Sequence, residues 1–348
     1  HAPQYPNAGI GMDLPLLDWL NKYTYPLEKK FLSIEFTKKI YPIVVNQLLR
    51  CGTTTAIYYA TIHLESSKYL ADLVHQKGQR GFIGKVNMDR NNPHGYFETM
   101  ESSVRYTVQF VKYIQSLESS LITPIITPRS ALCCTSDLMK SLGDIAKDYQ
   151  IPIQSHLSEN LAEIDEVKRS YPHLPDYTTV YDHYNVLQNN RTIMAHCIYL
   201  SSQERKLIKE RNVGISHCPN SNFTLSSGVC NVRQLLDEGI KVGLGTDISG
   251  GFSKSILDSI RSASIASRVI YFSSMKSDKV YNPLTISELT YLATMGAEGS
   301  PIQIFDDIDT NFEKIFEKFL FLGDDRNIKA VYVKGRKVSG TDITNLEA

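Results

Sequence analysis

Four short apolar runs in this chain each end on a group that could hold a metal or move a proton. They cover 151–156, 192–196, 213–217 and 242–247, and they close on His156, His196, His217 and Asp247. Imidazoles with a carboxylate make a sound zinc site that leaves one position for water, the arrangement of a metal-dependent hydrolase. Taken singly, each residue could equally cap its strand and hydrogen-bond locally; their recurrence at matching places favours a shared site. His217 fits either a further group around the ion or a donor to substrate. Glu159, three residues past His156, is placed for proton transfer, because a carboxyl near a metal in a closed site titrates close to neutrality. It fits equally an acid favoured by the first turn of a helix. Arg129 follows Thr127-Pro128, and its planar fork of donors suits a purine or a carboxylate; Gln4 offers an amide for the same purpose.

These groups need a scaffold that gathers strand ends. The four runs are too short for amphipathic helices, and the segments between them are long enough to return as crossover helices. That is the layout of an α/β fold of the TIM-barrel type, (β/α)8, whose chemistry sits at the carboxyl ends of its strands. Further strands are expected at 53–59, 80–86 and 121–127, with Pro124 an objection to a central position for the last. Helices are expected at 36–49, 66–76, 101–117, 137–149, 161–170, 201–210, 229–238, 255–273 and 285–294. Strands near residues 55, 83, 125, 154, 194, 215 and 244 make seven. A closed barrel takes eight, so the first strand is expected to be absent from this chain, immediately upstream of His1. Residues 1–30 read as a long aromatic loop around a helix at 14–23, suited to covering a cavity, and 171–190 as an exposed loop. The expected division is a barrel at 1–300, incomplete at its N-terminus, and a C-terminal part at 301–348. In that part 301–310 is acidic and aperiodic, and 329–338 is a hairpin turning at Lys334-Gly335 that needs a sheet to join.

Composition excludes several classes. Lys plus Arg and Asp plus Glu are 37 each, so no basic surplus points to nucleic acid. No apolar run approaches the length of a membrane span, and no signal peptide opens the chain. The six cysteines form no CxxC pair and fit buried thiols in a reducing compartment, hence a cytoplasmic location. No GxGxxG occurs, so a nucleotide cofactor is not indicated, and the HxE…PCxxC signature of another class of zinc deaminase is absent.

The strings Gln154-Ser-His-Leu-Ser-Glu159, Met194-Ala-His196, Ser216-His-Cys-Pro-Asn-Ser-Asn222 and Gly243-Leu-Gly-Thr-Asp247 resemble the successive motifs of the amidohydrolase superfamily. With Asp13-Leu-Pro-Leu-Leu-Asp-Trp-Leu20, Thr127-Pro-Arg129 and Phe321-Leu-Gly-Asp-Asp-Arg326, the chain resembles the guanine deaminase family over nearly its whole length. The resemblance implies hydrolysis of guanine to xanthine and ammonia with one Zn2+, a homodimer, and a small β-sandwich of which 301–348 would be a remnant. It implies that His1, His156 and Asp247 bind the metal, that His196 contacts the metal or the substrate, that Glu159 shuttles protons, and that Gln4 and Arg129 hold the purine. The chain departs from the family in three ways. It starts at the second His of a His-x-His pair, it has Ser130 where an aromatic residue is usual, and it skips a segment between about 298 and 312. The first departure is expected to weaken metal binding. Two other readings stay open: a related hydrolase of another aminated heterocycle, and an inactive barrel that serves as a binding protein.

Overall fold

A computed structural model of the chain describes residues 1–90, 94–275, 281–294 and 312–340. Its centre is a run of parallel strands: β1 (Thr55–Tyr59), β2 (Arg80–Gly84) continued by β3 (Val86–Asn87), β4 (Ile122–Pro124) continued by β5 (Thr127–Pro128), β6 (Ile153–Leu157), β7 (Thr192–His196), β8 (Gly214–His217) and β9 (Lys241–Leu244). β1 pairs with β2, β2 with β4 and β3 with β5; a single bridge from Ile126 to Ile153 leads on to β6, β7, β8 and β9. All seven expected strands are present in chain order. Among the described residues β9 does not pair back to β1, so hydrogen bonds do not close the wall. Pro124 lies opposite Ile83 in β4, the edge strand of the three-stranded ladder β1-β2-β4. It donates no hydrogen bond to the ladder, and β4 stops there, pairing resuming only at Thr127.

Helices return between the strands largely where their apolar spacing places them, for example Ile34–Arg50, Met100–Ser116, Ser136–Tyr149 and Leu161–Ser170. Thr135 caps the third by accepting from the Leu138 amide, and Asn160 with Glu163 forms a capping box on the fourth. The helices and strands bury a large apolar core running from Ile62 and Val86 through Ile153, Met194 and Val242 to Leu320. Glycine is required at 84 by close approach inside the wall, since a Cβ there would lie 1.9 Å from Thr127 Oγ1.

Two expectations are corrected. Residues 1–30 are mostly helical, with turns at Leu16–Trp19, Leu20–Thr24, Tyr25–Lys29 and Lys30–Leu32 following one another. The supposed exposed loop at 171–190 contains a helix, Tyr177–His183, and buries Tyr171, Tyr177 and Tyr181. Tyrosine there serves as core, because each hydroxyl finds a partner: the Cys134 carbonyl at 2.9 Å, Glu163 at 3.0 Å and the His156 carbonyl at 2.8 Å. The C-terminal hairpin, β10 (Ala330–Val333) with β11 (Arg336–Gly340), joins no further strand among the described residues. Val338 packs instead on the helical side of the barrel, and Lys334 reaches Ser120 at 2.9 Å. Its turn falls at Lys334-Gly335 as expected, both with positive φ, the backbone of a two-residue hairpin loop. The aperiodic stretch 301–310 lies outside the described residues. No helix among them is long and apolar enough to cross a membrane.

Candidate active site

The strand ends converge because the backbone turns sharply on the polar residues themselves. His196 and Asp247 adopt φ of 71° and 44°, and Ser158 adopts 49°. These left-handed conformations cost a side-chain-bearing residue about 1–3 kcal/mol each and cluster at sites where geometry matters more than local comfort. Gly250 leaves room for the result: a Cβ on it would fall 2.8 Å from the Asp247 carboxylate.

The rings form a stack. His1 lies 5.1 Å from His156, and His156 lies 5.6 Å from His196, centroid to centroid. Tyr59, at the end of β1, leans on both His1 and His156 at 4.4 and 4.8 Å. His156 Nδ1 is 2.7 Å from the Arg129 carbonyl, which assigns the proton to Nδ1 and leaves Nε2 as a bare lone pair. That Nε2 faces His1 Nε2 at 3.2 Å. His196 is held at Nδ1 by Asn222 Oδ1, 2.9 Å away, while its Nε2 lies 3.4 Å from Glu159 and 3.9 Å from Asp247. Ser227 Oγ donates to the other Glu159 oxygen at 3.2 Å.

Electrostatics separate these groups into roles. Burial, with His196 nearby, pushes His156 down to about 3, so it is neutral and free to be a ligand. Burial also opposes a proton on His196, but Glu159 and Asp247 outweigh it and raise its pKa. Glu159 is pushed up to about 7, first by burial and then by Asp247 and Glu163 against the opposing pull of His196. For Asp247 burial acts upward, and the positive groups around it, His196 foremost, bring it below the usual carboxylate range. One carboxyl is therefore poised to exchange a proton near neutrality, and the other is held ionised.

One cavity of about 360 Å³ is lined by His1, Gln4, Arg129, His156, Glu159, His196 and Asp247, with Leu16, Trp19, Leu20 and Tyr25 from the N-terminal helical turns forming its apolar side. His217 is the exception. It is 1 % exposed, pairs within the sheet opposite Leu244, and is not among the residues that line the cavity. Neither of its ring nitrogens has a partner among the described residues, and burial, followed by the charge of His196, lowers its pKa to about 3. Glu28 is the residue that sequence reasoning missed. It is fully buried and accepts from Arg129 at 2.6 and 3.2 Å and from Gln4 at 2.9 Å. The sequence signal was faint: an isolated acid in the aromatic stretch 23–31.

The donor chemistry fits a divalent metal. Both core imidazoles have Nδ1 tied to an oxygen and Nε2 directed elsewhere, the second-sphere arrangement of metal-ligating histidines, and Gly250 keeps a cradle beside the carboxylate. Among the described residues no three His, Cys, Asp or Glu groups close tightly enough to make a ready cage on their own. The amidohydrolase family profile matches residues 1–299. The chain is 48% identical to a guanine deaminase of Dictyostelium discoideum over 366 aligned residues, covering 97% of this chain and 80% of that protein. It is 44% identical to a human guanine deaminase over the same shares of each. A guanine deaminase of C. acetobutylicum, solved with guanine bound in its active site, superposes with a TM-score of 0.90 at 40% identity, covering 97% of this chain and 84% of that one. An adenosine deaminase of Xanthomonas campestris with bound zinc shares the fold, with a TM-score of 0.81 at 19% identity over 97% of this chain and 77% of that one. The chain belongs to the amidohydrolase family, in its guanine deaminase branch.

Proposed function

We propose that the protein deaminates guanine hydrolytically, guanine and water giving xanthine and ammonia. The observation that supports this best is the meeting in one cavity of Glu159, Asp247, His156 and His196 on one side with Arg129 and Gln4 on the other. His1, His156 and Asp247 would hold one zinc ion, with His196 beside it; bound there, the ion would supply Lewis acidity that makes water nucleophilic at neutral pH. Asp247, ionised, takes the proton of the attacking water. Glu159, pushed up to about 7, protonates the ring nitrogen next to the carbon that bears the amine. It then takes the proton that the new hydroxyl loses on becoming a carbonyl and gives it to the amine, which leaves as ammonia, and the proton held by Asp247 returns Glu159 to its starting form. Arg129 and Gln4 hold the purine flat against the apolar side of the cavity, which places that carbon over the carboxylates. Residues 1–300 are assigned to the catalytic barrel and 301–348 to an accessory C-terminal element. A homodimer in the cytoplasm is the state implied by resemblance, and light scattering checks the mass.

Metal analysis of the purified protein, with the fall in guanine absorbance followed before and after chelation, tests the reading. Turnover that is lost on chelation and restored by zinc supports it. A zinc-loaded protein that leaves guanine untouched while hydrolysing another aminated heterocycle overturns it.

A further inference from the structure

We infer that Glu28 decides which rings the cavity accepts: it positions Arg129 and Gln4 and cancels the guanidinium charge, so the cavity takes neutral planar heterocycles and turns away anionic ones. The inference rests on the purine reading above and names a residue through which it acts. Arg129 alone suits two kinds of ligand, a neutral ring with carbonyl and nitrogen acceptors or a carboxylate-like anion. What surrounds it settles the choice.

Glu28 sits in the turn Tyr25–Lys29, 101 residues before its main partner. Its two oxygens receive Arg129 Nη1 at 2.6 Å and Nη2 at 3.2 Å, and Oε1 also receives Gln4 Nε2 at 2.9 Å. A two-pronged pair of this kind fixes the plane of the guanidinium as well as its distance. Tyr25 adds a third restraint, its ring centroid 5.0 Å from the guanidinium carbon. Glu28 is wholly buried, and Arg129 is 4 % exposed, so solvent screens neither. Arg129 keeps N–H donors beyond the two it gives to Glu28. The cavity wall is thus rich in directed donors yet carries no net charge at this point. A neutral ring carbonyl can accept from it. A ring with a full negative charge loses its solvation on entry and finds the guanidinium already matched, with a carboxylate behind it.

Calorimetric titration with hypoxanthine, neutral at pH 7, and urate, an anion at that pH, reads the claim without turnover. The parent protein is expected to bind hypoxanthine at least tenfold more tightly than urate. Glu28→Gln, which keeps the shape and removes the charge, should move that ratio at least tenfold toward urate and raise KM for guanine more than it lowers kcat. Glu28→Asp keeps the charge and shortens the reach, so KM should rise at least fivefold with the ratio within twofold of the parent. A folded Glu28→Gln with the parent's ratio, or Glu28→Asp with the parent's KM, overturns the inference. Should Glu28→Gln not fold, Arg129→Gln carries the charge test: it should move the ratio at least tenfold away from urate, and an unchanged ratio is equally fatal. A parent that binds hypoxanthine but leaves guanine intact sinks the guanine reading instead, so the two failures are told apart.

Discussion

Two buried ion pairs in this molecule each join a cation to a glutamate and behave differently. Arg129 and Glu28 form one in the wall of the cavity; Lys85 and Glu98, 2.7 Å apart, form the other, away from it. Burial drives Lys85 down and Glu98 up, both toward neutrality, with each partner only opposing the trend. For Arg129 burial is also the largest influence, yet Glu28 and its neighbours overcome it and raise the guanidinium pKa. The difference lies in the side chains. An ammonium can yield its proton when desolvation is costly, whereas a guanidinium keeps its charge and meets a carboxylate along two parallel bonds. Lys85 also donates to the Val86 carbonyl, and Glu98 accepts from Ser103 in the helix Met100–Ser116, so that cluster fastens β3 to the segment leading into the next helix. The first pair presents donors to a ligand; the second holds chain to chain.

The largest effect should come from the cavity side. Glu159→Gln removes the group that exchanges protons and should lower kcat by three to four orders of magnitude, within the range of general acid–base catalysis, while the melting temperature stays the same or rises. A kcat within tenfold of the parent would take Glu159 out of the proton path. Next is the structural pair. Glu98→Ala leaves the buried Lys85 amine without its carboxylate partner and should cost about 3–5 kcal/mol in denaturant unfolding, with kcat/KM per folded molecule within threefold of the parent. If activity falls with no loss of stability, the two clusters are not separable. Arg129→Ala should follow, with kcat/KM down about a hundredfold; guanine turnover within twofold of the parent would make the pair in the wall merely structural.

Much of this arrangement was legible in the sequence, for identifiable reasons. Strand ends such as His156, His196 and Asp247 stood out because a short apolar run that stops on a polar group marks a buried strand leaving the core, and the helices between them carried clear caps and apolar faces. His217 satisfied the same pattern and lies outside the cavity, because position at a strand end does not tell which side of the wall a terminal side chain meets. Tyr177 and Tyr181 read as exposed loop because the proline, aspartate and asparagine residues around them favour turns, and only the packed hydroxyl partners make them core. Glu28 was the hardest to see. No motif surrounds it, and its meaning comes from Arg129, Gln4 and His1, brought to it by the fold.

The smallest effect is also the one that probes the charge on Lys85. His63 precedes the helix Leu64–Lys77, is half-buried, and has its pKa brought down to about 4, first by burial and then by Lys85. In the unfolded chain the same imidazole titrates near 6.5. Between those two values the unfolded state binds more proton than the folded one, so stability must fall as pH drops from 6.5 toward 4, and no further loss from this group occurs below that. Partial exposure screens the effect, which leaves a contribution on the order of 1–2 kcal/mol. Asn cannot titrate and is a good residue at a helix N-cap. His63→Asn should therefore give an unfolding free energy that depends less steeply on pH across this window, the two curves running parallel above pH 7. Adding Lys85→Met to the parent should shrink the difference only if Lys85 keeps its proton in the core. An unchanged difference would mean that the ammonium has been neutralised, and the contrast with Arg129 would then be complete: one buried cation that yields its charge, and one that cannot.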